Sequence, residues 1–127
     1  MNKSVLFENS RIITGKGSYR TDEIEWNRHP VFAGVWMKNL ITGSDTGGRM
    51  SCHLVKIEPG CMIGEHIHEG RMELHEVTGG AGLCTIGEET FDYSEGIVSY
   101  IPENINHTVK AGGEGLFILA KFSPALI

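Results

Sequence analysis

Short runs in which apolar and polar residues alternate, each closed by a turn signal, occupy most of the chain. The pattern predicts strands at Glu23–Trp26, Val31–Leu40, Met50–Glu58, Gly64–His68, Glu73–Val77, Gly82–Ile86, Thr90–Tyr93, Ile97–Ile101, His107–Lys110 and Leu116–Phe122. The breakers between them include Pro59-Gly60, Thr78-Gly-Gly80, Gly87-Glu-Glu89, Ser94-Glu-Gly96, Pro102-Glu-Asn104 and Gly112-Gly113. No run keeps a helical period over successive turns. Many short strands of this kind are best accommodated by an antiparallel all-β barrel, because closure leaves no exposed sheet edge.

Composition narrows the partners. A chain of 127 residues supports one domain (1–127) and one core. Its 17 glycines are scattered between apolar runs, as tight turns require. A formal charge of −5, with the 11 Lys and Arg residues dispersed, argues against nucleic acid, which needs a basic patch. No segment is apolar enough to span a membrane, and the apolar run after Met1 is too short for a signal peptide. Cys52, Cys61 and Cys84 are odd in number and lack a CxxC spacing. They fit a reducing cytoplasm, as small core residues. The glycine-rich stretch Thr42–Gly48 lacks the Gly-Lys-[Ser/Thr] ending of a phosphate loop and is read as a flexible connection. Residues 1–48 carry Trp26, Phe32 and Trp36, and are expected to form N-terminal strands that pack on the barrel or on a second subunit. An aromatic strand outside a filled barrel favours a homodimer.

The candidate chemistry lies in residues 60–80 and at His107. His66 and His68 are two apart, so an extended strand projects both from one face. Glu73 follows after room for a turn, and His107 opens another extended run. Three imidazoles and one carboxylate suit a first-row divalent metal and leave positions open on a six-coordinate ion. A lone His-x-His is more often a surface pair, but here it sits within Gly60-x5-His66-x-His68-x4-Glu73-x6-Gly80. At this composition that pattern arises by chance on the order of once in a thousand such chains. Cys61 is a weaker candidate for the fourth ligand than Glu73.

These residues resemble the first motif of the cupins, small jelly-roll barrels of the double-stranded β-helix type. Gly82 completes the family's Gly-x-Gly turn. The second cupin motif is similar to Gly96-Ile-Val-Ser-Tyr-Ile-Pro102-Glu-Asn-Ile-Asn-His107, with Asn104 where the family has Gly and Ala111 where it often has Asn. Asn tolerates a left-handed backbone, so the turn survives. The resemblance covers residues 49–124 as the cupin core. It implies an antiparallel double-stranded β-helix with His66, His68, Glu73 and His107 holding one divalent transition metal per chain (Fe, Mn, Ni, Zn or Cu).

The family does not specify a reaction. The expected function is a metal-dependent enzyme acting on a small organic molecule, as an oxidoreductase of dioxygenase type or as an isomerase or lyase. The alternative is a non-catalytic small-molecule binding or sensing module. His75, two after Glu73, is the catalytic candidate, assisting the site or moving a proton. Its structural alternative is a core histidine satisfied by a backbone carbonyl. His53 reads as packed or surface, Arg49 as exposed or gripping a carboxylate at the pocket mouth, and His29 as incidental. Glu65, Glu69 and Glu76 read as solvated, and Met62, Met72 and Phe117 as pocket walls or core.

Overall fold

A computed structural model describes residues 7–127; the start of the N-terminal apolar run lies outside the described residues. Its strands are β1 (Arg11–Thr14), β2 (Gly17–Arg20), β3 (Trp26–Arg28), β4 (Val35–Ile41), β5 (Ser51–Ile57), β6 (Met62–His66), β7 (Met72–Ile86), β8 (Glu89–Ser94), β9 (Val98–Ile101) and β10 (His107–Ser123). Thr21–Glu23 is a 3-10 turn and Gly43–Thr46 a single α-helical turn, α1. Two differences from the sequence pattern follow from local chemistry. Glu23–Trp26 does not begin a strand, because the chain turns there before β3. Thr42–Gly48 is an ordered turn, with the Thr42 N–H donating to Asp45 at 2.9 Å and Gly47 closing the helix at φ 65°.

All the strand pairs are antiparallel, and β7 and β10 organise them. The second half of β10 lies between β5 and the first half of β7, which also pairs with β9. The first half of β10 lies between β6 and the second half of β7, which also pairs with β8. Two facing sheets result, β3-β4-β5-β10-β7-β9 and β6-β10-β7-β8, sharing two bent strands: an all-β double-stranded β-helix. The hairpin β1-β2 stands apart as its own sheet.

The pattern predicts breaks at residues 78–80 and 112–113; the strands instead bend there and continue. Gly80 has φ 75°, and a Cβ on it would overlap the carbonyl oxygen of Gly115. A Cβ on Gly82 would overlap that of Lys110. Glycine at these points lets the two backbones cross in contact, and the β7–β10 register shifts between Ala111 and Leu116 to absorb the bend.

Both faces of the larger sheet are buried. Along β5, Val55 and Ile57 point between the sheets and join Val77, Val109, Ile118 and Phe122 in the main core. Cys52 and Leu54 point outward, where they meet Leu40 and Leu119 and are covered by Ile12, Ile24 and Trp26. Trp26 therefore packs on the barrel's outer face, with Lys56 Nζ 4.6 Å from its ring centre. Phe32 packs against the main core rather than standing outside it. Val31 is exposed and lies before β4 rather than within it.

The crossing at Gly80 yields a stability prediction. Gly80→Ala should cost about 2–4 kcal/mol, from the positive φ and the overlap with Gly115 together. The check is the urea unfolding midpoint. A loss below about 0.5 kcal/mol would show that the crossing tolerates a side chain.

Candidate metal centre

The barrel closes at one end on four side chains from both sheets. His66 ends β6 and His107 opens β10 directly opposite it in register, with ring centres 4.0 Å apart. Glu73 comes from the first half of β7, in the larger sheet. His68 lies just past β6 and turns its ring nearly perpendicular to His66, at 4.8 Å. One ligand atom from each of His66, His68, Glu73 and His107 lies within 4.8 Å of all the others. Glu73 Oε1 is 3.2 Å from His107 Nε2 and 3.5 Å from His68 Nε2.

Backbone carbonyls orient two of the rings. His66 Nδ1 donates to the Gly64 carbonyl at 2.7 Å, and His107 Nδ1 to the Ile105 carbonyl at 3.0 Å. A carbonyl only accepts, so the proton sits on Nδ1 and leaves the Nε2 lone pair free. Asn104 anchors the His68 loop. It sits at φ 61°, as the Gly-to-Asn exchange requires. Its N–H donates to the His68 carbonyl at 3.1 Å, and its side-chain oxygen accepts from the Gly70 N–H at 3.3 Å.

The electrostatics suit a cation. Burial alone would raise the Glu73 carboxyl, but the charge of His75 and the hydrogen bond that its Nε2–H donates hold it well below the usual carboxylate range. Burial pushes His68 down to about 4 and lowers His66 as well. Neutral imidazoles thus present lone pairs toward an anionic oxygen, an arrangement that repels itself unless a positive ion lies among them. The donor set fits a first-row divalent metal.

On the far side of Glu73 is His75. Its Nε2 donates to Glu73 Oε2 at 2.6 Å, and its Nδ1 is 2.8 Å from the Tyr93 hydroxyl. Burial disfavours the His75 cation, but the Glu73 carboxylate reverses this and raises it to about 9. Its partners are side chains, not a backbone carbonyl. Alternation along β8 points Tyr93 inward, a signal the sequence carried and that the reading of single residues passed over.

The open side of the cluster is a small chamber of about 60 Å³. Its walls are Val35, Met37, Val55, Ile63, Phe122 and Leu126, and His29 lines it too. His29 is therefore not incidental, but it comes from the β3–β4 loop, which no spacing rule connects to the motif. Arg49 and Met72 line a separate surface groove beside Lys121 and Tyr100, and Met62 is exposed on β6. Glu65 and Glu69 are exposed, whereas Glu76 pairs with Lys121 at 2.7 Å. Cys61 packs against the core away from the ligand cluster.

An antiparallel double-stranded β-helix with three histidines and a glutamate converging at one end defines a cupin. The family model described as Cupin domain matches residues 53–119, more than half of the chain, and the protein belongs to that family. Among solved structures it is similar to KdgF from Halomonas sp. (23% identity, TM-score 0.74, covering 84% of this chain and 93% of that one). It is also similar to a protein from Thermotoga maritima described as a predicted oxalate decarboxylase (23%, TM-score 0.76, covering 83% and 96%). A third is an RmlC-like cupin from Shewanella frigidimarina (15%, TM-score 0.73, covering 85% and 90%). At these identities the likeness shows the fold. No curated protein sequence matches the chain.

Deeper in the barrel, fully buried His53 is satisfied at both nitrogens, by Asn39 Oδ1 at 2.8 Å and Ser51 Oγ at 2.7 Å. Phe122 stands edge-on to both His53 and His68 and separates them. Burial pushes His53 down to about 4. Because its folded value lies below its unfolded one, only the unfolded chain takes up this proton as pH first falls, and stability drops. The stability advantage of wild type over His53→Gln should be constant above about pH 6.5 and shrink as pH falls below that value. Denaturant titrations across this range measure it. A gap that does not change with pH would show that His53 keeps an ordinary pKa.

Proposed function

We propose that the chain is a metal-dependent cupin enzyme that binds one divalent transition metal through His66, His68, Glu73 and His107 and acts on a small organic molecule. The observation that carries this reading is the convergence of four ligand atoms within 4.8 Å beside a small, mostly apolar chamber. A bound ion would supply Lewis acidity or, for a redox-active metal, electron transfer. The chain's own residues do the rest. Val35, Val55, Ile63 and Phe122 exclude bulk water, and the backbone carbonyls of Gly64 and Ile105 fix two of the rings. His75 acts through Glu73: it holds Oε2 and keeps a proton on Nε2, steadying the carboxylate from behind. Small carboxylates are the first substrates to assay, the class named by the oxalate decarboxylase neighbour. Three free thiols support a cytoplasmic setting.

Elemental analysis of purified protein should find one divalent metal per chain, and His66→Ala combined with His68→Ala should abolish it in a barrel that still folds. Unchanged stoichiometry in that double variant would sink the assignment. Because burial holds His68 down to about 4, metal should persist at mildly acidic pH and be lost as pH falls toward that value. His75→Ala should bind the same number of ions, with about 10- to 100-fold weaker affinity. A metal-loaded protein that turns over no small carboxylate, isomerisable sugar or dioxygenase substrate is instead a binding module.

We also propose a homodimer built on the N-terminal half. Among the described residues the hairpin β1-β2 pairs with no other strand; Ile12 packs on the barrel while Ile13 and Tyr19 stay exposed, and exposed apolar surface of this kind marks an interface. Light scattering at micromolar concentration should give twice the mass of the chain; the mass of a single chain would refute the dimer.

A further inference from the structure

We infer that His29 is a positioning residue of the chamber: its Nε2–H donates a hydrogen bond to a small carboxylate ligand seated against the metal. The inference rests on the metal reading above.

Of the described side chains that line the chamber, every one outside the His66, His68 and Glu73 cluster is apolar except His29. Its ring is locked in one tautomer. Nδ1 accepts two backbone N–H groups, from Val31 and Phe32, both at 3.1 Å. Nδ1 must then be unprotonated, so the neutral ring carries its proton on Nε2. That N–H is the one polar group the ring has left to offer.

The ring is also held in place. The His29 backbone N–H donates to the Val35 carbonyl at 2.8 Å, which closes the loop. Phe32 lies against the ring, with centres 4.8 Å apart. Phe32 in turn sits so close over β6 that a Cβ on Gly64 would fall 2.8 Å from it. The loop therefore docks on the strand that ends in His66, and half-buried His29 is carried to the chamber with it.

Charge selects the ligand class. A divalent ion beside the Glu73 carboxylate leaves excess positive charge, to which His75 behind Glu73 adds, and among the described residues no other charged side chain lines the chamber. A small carboxylate offsets that charge, and an oxygen on it accepts from Nε2–H. At about 60 Å³ the chamber admits only a few non-hydrogen atoms, the size of a short carboxylate.

Two substitutions separate the roles of the two nitrogens. His29→Asn keeps an acceptor where Nδ1 was and removes the distal donor; His29→Gln keeps a donor near Nε2 and removes the acceptor. Each protein is loaded with Co(II), and acetate is titrated while the cobalt d–d absorption is followed. His29→Asn should match wild type in cobalt stoichiometry and unfolding midpoint but bind acetate about tenfold more weakly. His29→Gln should bind acetate more tightly than His29→Asn does. Equal acetate affinity in wild type and His29→Asn would overturn the assignment, as would an equal loss in both variants, which would mark His29 as a loop clamp. A wild-type cobalt spectrum that acetate does not perturb would overturn the ligand class. Absence of cobalt binding in wild type would overturn the metal reading itself, an outcome read before any acetate is added.

Discussion

A carboxylate that stays ionised while only 7% exposed is the constraint on which the rest of this structure depends. An isolated charge at that depth would cost several kcal/mol, and removing the partners of one typically destabilises by about as much. Glu73 is surrounded by His75, His107 and His68, each with a ring nitrogen within 3.5 Å of a carboxylate oxygen. These partners come from both sheets and from a loop. His75, on the same strand, donates to the carboxylate and holds it ionised, and closure of the two sheets at this end brings the remaining ring nitrogens around it.

The closure is made by two bent strands. β7 carries Glu73 and His75, β10 carries His107, and each strand serves both sheets. The glycines at the crossing let the backbones touch, so the distance from β7 to β10 is set by main-chain contact rather than by adaptable side chains. The geometry of the cluster inherits that rigidity. Asn104 extends it to the loop that carries His68, through one backbone and one side-chain hydrogen bond.

The same residue type does different chemistry at each depth. Burial without a charge partner keeps His53 neutral and structural. Burial against Glu73 keeps His75 protonated behind the cluster. His66 and His107, tethered through Nδ1 to carbonyls, are left with Nε2 for a metal. His29, tethered through Nδ1 to two amides, is left with an N–H. In each case the partner of one nitrogen decides what the other can do.

Period-two alternation and turn residues are local properties, and they were enough to determine an all-β barrel. The spacing of Gly60, His66, His68, Glu73 and Gly80 was enough to pick out all four members of the cluster, because side-chain direction along a strand follows from residue count alone. Local pattern misread the glycines of β7 and β10 as breaks, since a bend and a break look alike until the crossing partner is known. It also missed the cap of α1, whose Thr42 and Asp45 were legible, and set aside His29, whose loop meets the chamber only after β4 and β6 have folded. The pairing of His75 with Tyr93, the burial of Phe32 and the size of the chamber were likewise decided only by tertiary structure. Each depends on which residues far apart in the chain come within contact distance, and no local periodicity encodes that.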